Sequence, residues 1–228
     1  MAQRKVWENE YKNNKLVTGS DKPQKDFLNF LRFLKKERKL IVTKLNILDL
    51  GCGVGKNANY LAKLDNTVVG FDISTEAIRI AKERAEKLNI SVSYRVSNIG
   101  SKYSFSDEYF DVVIDVISSN SLNEAEREVY LSEVKRVLRP GGYFFVRALR
   151  KEGDKNAKFL LANSPGPEKN TYKLKDLGLT ERVFEEKEIK EMYGKNFEIL
   201  KLQKKTAYTK YANQSYKRNY WLIYMTTK

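Results

Sequence analysis

One short stretch, residues 46–56, constrains the fold more than any other part of the chain. Its first five residues are mostly apolar and predict a buried strand, which three glycines within the next five residues bring to an end. Glycine lets the backbone turn sharply and approach a ligand closely, because it has no Cβ. An apolar-periodic helix follows from Ala58, so its free N–H groups face whatever the loop holds. The pattern predicts the strand, loop and helix of an α/β ligand site.

A second strand, Thr67 to Phe71, ends at an acid, Asp72. It follows the glycines by about 20 residues, the spacing at which an acid in a βαβ unit takes the hydroxyls of a ribose. A dinucleotide fingerprint has glycine at its first, third and sixth positions, and here the sixth position is Lys56. The nicotinamide dinucleotides, which also carry a ribose, are the rival cofactor class, although the loop departs from their fingerprint. The loop carries its glycines at alternate positions instead, namely Gly51, Gly53 and Gly55.

Composition excludes several kinds of chemistry. The chain has 228 residues, enough for one substantial core, and it has no histidine, which excludes a histidine base, a Ser-His-Asp triad and most transition-metal sites. Its single cysteine, Cys52, excludes an intrachain disulfide and a cysteine-based zinc site. No apolar run approaches the roughly 20 residues of a membrane helix, and the N-terminus lacks the apolar region of a signal peptide. We therefore expect a cytoplasmic protein without a metal and without a membrane partner.

The net charge of +14 is unevenly distributed. Residues 1–45 and residues 201–228 each carry an excess of +7, and the segment between them is neutral. Basic flanks suit RNA or an acidic partner, and they are also ordinary solvated surface in a lysine-rich chain. We expect weak, sequence-blind RNA binding at most. The groups that would carry it are Lys204, Lys205, Lys210, Lys217 and Arg218, with the interleaved Tyr208, Tyr211 and Tyr216.

Further elements follow in a regular order. Residues 91–96 alternate as a third strand, and residues 110–117 form an apolar fourth strand. A capping-box pattern at Asn123 and Glu126 begins a helix, and a Pro-Gly-Gly turn leads into a fifth strand over residues 143–148. The pattern Asp49-Leu-Gly-Cys-Gly-Val-Gly55 resembles motif I of the class I S-adenosylmethionine-dependent methyltransferases. The run from Glu133 to Val146 resembles their post-motif region, and the matching segments cover about residues 46–148.

The resemblance implies an α/β fold with a doubly wound, mostly parallel seven-stranded sheet, helices on both faces and an antiparallel C-terminal strand. It also implies S-adenosylmethionine as methyl donor, with S-adenosylhomocysteine as product. In that family the glycine loop holds the amino acid part of the cofactor, and the third strand's end meets the adenine. The implied cofactor-binding residues are Asp49, Gly51, Cys52, Gly53, Gly55, Asn57, Asp72, Ile73, Ser97, Asn98, Ile99, Asp115 and Val116.

The flanking segments complete a single predicted domain, residues 1–228. Residues 1–45 form an N-terminal cap with a helix after Pro23, and Trp7 and Tyr11 share a helix face that either anchors the N-terminus or, as in many members of the family, folds over the cofactor. Residues 149–183 interrupt the pattern and are either a substrate cap or a plain surface loop. Residues 184–228 form a short helix and two strands, residues 197–202 and 220–225, joined by a polar connection.

The predicted reaction is methyl transfer to an O, N or S nucleophile of a small molecule. In-line positioning supplies much of the rate, and a general base is optional for an amine or a thiolate. Where a base is needed, the candidates are Asp115, Glu181 and Tyr172, although Asp115 also suits a structural cap or a cofactor contact. The candidate substrate-binding residues are Ser119, Asn120, Arg147, Tyr172 and Arg182. A methyltransferase acting on RNA or protein, or a non-catalytic cofactor-binding module, remains the alternative.

Overall fold

A computed structural model describes residues 3–13, 20–211 and 214–228, and of residues 210, 211 and 214 it describes the backbone alone. Seven strands form one sheet in the order β3-β2-β1-β4-β5-β9-β8. The first five strands in this order pair in parallel, and β9 runs antiparallel to both of its neighbours, so β8 again has the direction of β5. The strands are β1 (Asn46–Leu50), β2 (Thr67–Asp72), β3 (Ser93–Val96), β4 (Phe110–Val116), β5 (Leu138–Leu149), β8 (Phe197–Tyr211) and β9 (Gln214–Thr227), while β6 (Thr171–Leu174) and β7 (Leu179–Arg182) form a separate hairpin.

Helices cover both faces of the sheet, because its strands are apolar on both sides. Along β1, Ile47 packs with the helices of one face and Leu48 with those of the other. The first face is covered by α2 (Lys25–Glu37), α3 (Lys56–Ala62) and α4 (Thr75–Lys87), and the second by α5 (Glu124–Val137) and α7 (Glu186–Gly194). None of the helices in the described part of the chain combines the length and apolar character needed to cross a bilayer.

These observations confirm the predicted fold class. Asp49, on β1, pairs in register with Gly70 of the parallel strand β2, which ends at Asp72, so the two acids lie at the carboxyl ends of adjacent parallel strands. The predicted capping box is present at the start of α5, where Asn123 accepts from the N–H of Glu126 and Glu126 accepts from the N–H of Asn123.

The prediction of a polar connection between the last two strands was wrong. Both strands continue through it, and cross-strand partners are in register from Thr206↔Asn219 to Tyr211↔Gln214. β5 pairs with β9 only as far as Leu149↔Tyr220, and among the described residues no strand pairs with β9 beyond that point on the same side. The residues of this extension are mostly polar, and their polarity obscured the strands. Tyr and Thr, which favour strands, hold the extension in β conformation.

The insertion over residues 149–183 contains regular structure that packs on this hairpin extension. It consists of α6 (Lys155–Asn163) and the β6–β7 hairpin. Leu149, Ala157, Tyr172 and Val183 from the insertion side form a small apolar cluster with Tyr220 of β9. Arg218, also on β9, pairs with Asp154 at 3.1 Å and donates to the hydroxyl of Tyr172 at 2.7 Å. The insertion and the extension therefore form one layer beyond the carboxyl end of β5.

Candidate functional site

A cavity of about 170 Å³ opens at the carboxyl edge of the sheet. The ends of β1, β2, β3 and β4 supply its floor, and α1 (Arg4–Asn13) lies across it. In doubly wound sheets this edge is where ligands bind. The lining residues are Gln3, Trp7, Tyr11, Gly51, Asp72, Ile73, Ser97, Asn98, Ile99, Val116, Ile117, Ser118, Ser121, Leu122 and Glu126.

The glycine loop is packed too closely for side chains. Gly51 has φ +68°, and a Cβ at that position would collide with the hydroxyl of Ser118, which donates to the carbonyl of Leu50 at 2.8 Å. Gly53 has φ +54°, and its Cβ would lie 2.8 Å from the hydroxyl of Tyr11. Left-handed backbone and close approach both require glycine here. The loop thus presents bare backbone between Ser118 on one side and Tyr11 on the other.

Asp72 is held rigidly at the cavity wall. One carboxylate oxygen accepts from the N–H of Gly53 at 2.9 Å, and the other accepts from the N–H of Ser74 at 2.9 Å. The hydroxyl of Tyr11 also donates to this carboxylate. Burial raises the pKa of Asp72 to about 6, although these hydrogen bonds oppose the shift. Because a carboxylate has about four acceptor sites, Asp72 keeps capacity for further donors.

Asp49 on β1 and Asp115 at the end of β4 are buried, and the charges of Asp115 and Asp72 act on Asp49. Burial, followed by the charges of Asp115 and Asp72, raises the pKa of Asp49 to about 8. Burial also raises the pKa of Asp115. Asp49 Oδ2 is buried and has no hydrogen-bond partner among the described residues. No group of three or more His, Cys, Asp or Glu in that part of the chain is arranged to hold a metal ion. Three crowded, buried carboxylates favour a ligand that carries positive charge.

Asp115 also caps the turn that follows β4. Its carboxylate accepts from the N–H of Ser118 at 2.8 Å, from the N–H of Ser119 at 3.2 Å and from the hydroxyl of Tyr130 at 2.7 Å. The turn places Ile117 at φ +70°, a conformation that is rare and costly for a β-branched residue. The turn is thus strained where it meets the cavity.

Helix α1 is held over the cavity by contacts near its start and at its middle. Near its start, Gln3 donates to the carbonyls of Ser121 and Thr180, each at 2.7 Å, and accepts from the N–H of Thr180 at 2.8 Å. Further along, Glu8 accepts from the hydroxyl of Ser74 at 2.8 Å, at the N-terminus of α4. These contacts join α1 to the turn after β4, to the insertion and to α4.

The sequence-derived residues fall into two groups around the cavity. Those that line it are Trp7, Tyr11, Gly51, Asp72, Ile73, Ser97, Asn98, Ile99 and Val116. Those that do not line it are Asp49, Cys52, Gly53, Gly55, Asn57 and Asp115. Cys52 is buried and its pKa is raised by burial, so its thiol is a poor nucleophile. The side-chain oxygen of Asn98 accepts from the N–H of Gly100 at 2.9 Å in an Asx-turn, and Asn98 also lines the cavity.

The candidate catalytic and substrate-binding residues outside this cavity have partners within the protein. Tyr172 donates to Glu181 at 2.8 Å on the neighbouring strand of the small hairpin. Arg182 pairs with Glu188 at 3.2 Å, and Arg147 pairs with Asp26 at 3.0 Å. Ser119 and Asn120 are buried in the turn between the cavity and β5. The structure therefore separates Tyr172, Glu181 and Arg182 from the cavity.

Several lining residues were not among the individually named candidates, namely Gln3, Ile117, Ser118, Ser121 and Leu122, although the end of β4 was expected to lie near the cofactor. Glu126 was identified only as part of a capping box, yet it also lines the cavity and accepts from Asn98 at 3.3 Å. The four residues from the turn after β4 had one available signal, their position just beyond a buried parallel strand. Gln3 had none, because its partners are backbone groups more than 100 residues away.

Comparison with known proteins identifies the family. A family model described as a methyltransferase domain matches residues 47–142. An uncharacterized methyltransferase of Schizosaccharomyces pombe is 35% identical over 105 residues, which are 45% of this chain and 70% of that protein. The chain belongs to the S-adenosylmethionine-dependent methyltransferase family. The predicted family is thus confirmed.

Two further likenesses extend the comparison. A fatty-acid O-methyltransferase of Mycolicibacterium smegmatis is 36% identical over 110 residues, which are 47% of this chain and 38% of that protein. The chain therefore matches less than half the length of this relative. A crystal structure of an S-adenosylmethionine-dependent methyltransferase from Methanosarcina mazei superposes with a TM-score of 0.75 at 25% identity, covering 90% of this chain and 98% of that one. The methyltransferase fold thus extends well beyond the segment matched by sequence.

Proposed function

We propose that the protein is a methyltransferase that uses S-adenosylmethionine to methylate an O, N or S atom of a small molecule. The observation that carries this proposal is the cavity at the carboxyl edge, which combines a bare glycine backbone, the acid at the end of β2 and the polar end of β3. The named relative from Mycolicibacterium smegmatis is an O-methyltransferase, which supports an oxygen acceptor.

The residues present fit this methyl donor. The donor supplies a methyl group bonded to positively charged sulfur, and it also carries an ammonium group. The buried carboxylates Asp49, Asp72 and Asp115 favour such a cation, and Asp49 Oδ2 has an unused acceptor site. In this proposal the Gly51–Gly55 loop holds the amino acid part, Asp72 accepts from the ribose hydroxyls, and Asn98 meets the adenine. Trp7 and Tyr11 cover the donor from α1.

Calorimetric titration with S-adenosylhomocysteine tests the cofactor. We expect binding by the wild type, and a loss of at least about 1.5 kcal/mol in Asp72→Ala, the scale of a lost hydrogen bond to a charged group. The control is Asp107→Ala, which changes an exposed acid that does not line the cavity, and this variant should bind S-adenosylhomocysteine as the wild type does. Unchanged affinity in Asp72→Ala would refute the ribose assignment, and preferential binding of NADH would refute the cofactor class.

The acceptor class is tested with radiolabelled methyl donor and a fractionated cell extract. Label in the small-molecule fraction is the expected result. The hairpin extension supports the second candidate, an RNA or protein acceptor, because Tyr208 is 72% exposed and lies opposite Lys217. Label in the RNA or protein fraction would favour that candidate. Tight cofactor binding without label in any fraction would indicate a non-catalytic module.

A further inference from the structure

A second cavity, of about 390 Å³, lies between α5 and α7 and is called the α5–α7 cavity below. Small-molecule sites in proteins commonly have volumes of roughly 300–1,000 Å³. Helix α5 supplies Arg127 and Leu131, α7 supplies Met192, and the end of β7 supplies Arg182, with Phe184 just beyond it. Among the described residues, none lines both this cavity and the one at the carboxyl edge. The two cavities are therefore separate sites.

Arg127 is a buried cation without a close ion-pair partner. It is 5% exposed, and no carboxylate oxygen in the described part of the chain lies within 4 Å of its guanidinium nitrogens. Its Nη2 donates to the carbonyl of Leu122, whereas its Nε is buried and has no hydrogen-bond partner among the described residues. Burial, followed by the charge of Arg182, lowers the pKa of Arg127, and the more distant Glu168 and Glu124 oppose the shift. A guanidinium removed from water in this way is costly, so its presence at a cavity requires an explanation.

Arg182 brings a second guanidinium to the same cavity. The guanidinium carbons of Arg127 and Arg182 lie 5.4 Å and 5.5 Å from the centre of the Phe184 ring. Arg182 pairs with Glu188 at 3.2 Å, and a carboxylate oxygen of Glu168 lies 3.8 Å from it. The Nε of Arg182 is also buried, and no described residue accepts a hydrogen bond from it. The two arginines therefore favour a further anionic group at this point.

The charges around the α5–α7 cavity indicate what kind of anion this is. The parallel N–H groups of arginine match a carboxylate, so the buried pair suits a carboxylate group. The lining acids outnumber the lining cations, so they would repel a multiply charged phosphate and attract an ammonium group. The charged lining residues are the cations Arg127, Arg182 and Lys195 and the acids Glu124, Glu128, Glu188 and Glu191. A ligand that carries one carboxylate and one ammonium group satisfies both requirements.

We propose that the α5–α7 cavity binds a free α-amino acid with an apolar side chain. The carboxylate of the ligand accepts from Arg127 and Arg182, and its ammonium group faces the exposed acids of the lining. Its side chain packs against Leu131, Phe184 and Met192. The site does not share residues with the proposed cofactor site, so this inference does not rest on the proposed methyl transfer.

Calorimetry with matched ligands tests the two charged contacts. L-Leucine, L-methionine and L-phenylalanine are each titrated to about 10 mM, which saturates a site of millimolar affinity. We expect saturable binding of at least one of them. Its analogues without the ammonium group (4-methylpentanoate for leucine) and without the carboxylate (3-methylbutylamine for leucine) should bind about tenfold more weakly or worse, because each lacks one charged contact. Failure of all three amino acids to bind, or equal affinity for either analogue, would overturn the proposal.

The proposed methyl donor itself contains an amino acid part, so binding at the carboxyl edge has to be distinguished. The titration is repeated with protein saturated with S-adenosylhomocysteine, and the amino acid should still bind. Displacement of the amino acid by S-adenosylhomocysteine would place it in the other cavity and would overturn the proposal. Failure of S-adenosylhomocysteine to bind would bear on the proposed function alone.

Arg127→Met separates binding from stability. Methionine leaves no buried charge, so we expect the variant to resist urea at least as well as the wild type, while amino acid binding weakens about tenfold or more. Arg182→Lys keeps the charge but loses the parallel donors, and it should also weaken binding about tenfold. It keeps the test valid if Arg127→Met does not fold. Unchanged amino acid binding in either folded variant would overturn the proposal.

The matched control is Arg136→Met. Arg136 also lies on α5, but it does not line the cavity, and it pairs with Glu133 at 2.6 Å and with Asp107 at 2.8 Å. Its removal leaves the buried Glu133 without this partner, so the control should lose stability and still bind the amino acid as the wild type does. Equal weakening of binding in Arg136→Met and Arg127→Met would attribute the loss to general destabilisation and would overturn the proposal.

Discussion

Burial determines the protonation state of Asp49, which lies directly before the glycine loop. Its pKa is raised from 3.8 to about 8, so between those values the native state holds a proton that the unfolded state has released. This acid therefore destabilises the protein progressively as the pH rises through that window, and its full penalty is present above about pH 8. This change of stability with pH has the opposite sign to that of a carboxylate held in a salt bridge, which stabilises the protein more as the pH rises.

Asp49→Asn should remove this dependence. An amide resembles the protonated acid, so the variant should gain unfolding free energy relative to the wild type by up to about 1.4 kcal/mol per pH unit between pH 5 and 8. Urea denaturation of the wild type and the variant at about pH 5 and about pH 8 measures the difference in unfolding free energy. Asp107→Asn is the control, since that acid is 75% exposed on its side chain. Parallel stability profiles for wild type and Asp49→Asn would contradict the prediction.

Helix α1 is the element that controls access to the cavity. Its apolar residues Trp7 and Tyr11 lie over the glycine loop, and their ring centroids are 6.2 Å apart. A ten-residue helix is marginal by itself, so its stability depends on its contacts with the rest of the protein. Gln3 makes three hydrogen bonds with backbone groups, two with Thr180 of the insertion and one with Ser121 of the turn after β4.

Gln3→Ala should loosen α1 without unfolding the sheet. We expect hydrogen exchange of residues 3–13 to become at least tenfold faster, because three bonds are lost, and S-adenosylhomocysteine to dissociate faster. Hydrogen exchange with mass spectrometry and stopped-flow displacement measure these two effects. Asn13→Ala removes an exposed side chain at the other end of the helix, whose contact is with Asn9 in the preceding turn, and serves as the control. Equal exchange in both variants would show that Gln3 does not fix the helix.

At the scale of the whole molecule, the cations of the C-terminal basic flank differ in exposure and in pairing. Arg218, which the sequence grouped with the RNA-binding cations, pairs with Asp154 and is 13% exposed on its side chain. It therefore holds the insertion against the hairpin and is a poor contact for phosphate. Lys204 and Lys217 are exposed. The side chains of Lys210 and Tyr211 lie outside the described residues.

We expect the hairpin extension to bind single-stranded RNA only weakly, with a dissociation constant in the non-specific range of about 10⁻⁴–10⁻⁶ M at physiological salt. Replacing Lys204, Lys205 and Lys217 by Gln should weaken this binding and reduce its salt dependence. The matched control replaces Lys35, Lys36 and Lys39, which are exposed at the end of α2 and beyond it. Fluorescence anisotropy at two salt concentrations measures both variants. Submicromolar binding that the hairpin variant loses would make RNA the leading acceptor.

Local sequence was sufficient for the central part of the fold. Several features are defined by residues that are close together in the sequence, namely the apolar runs, the alternate glycines and the capping box. Each of these could therefore be predicted from the sequence. Asp72 followed from its spacing after the glycines in a βαβ pattern, because the carboxyl ends of parallel strands meet at one edge. Asn98 and Val116 were implied by the resemblance to the methyltransferase family.

Tertiary structure alone decided the rest. Polar strands in the hairpin extension are stabilised by their partner strand, which a hydrophobic pattern does not reveal. Asp26 looked like an ordinary acid in the first turn of α2, and only packing brought it to Arg147, 121 residues away. Burial then gave its carboxylate, and the amide of Asn120, a free hydrogen-bonding atom. Desolvation and long-range contact depend on the whole fold, so no window of sequence contains them.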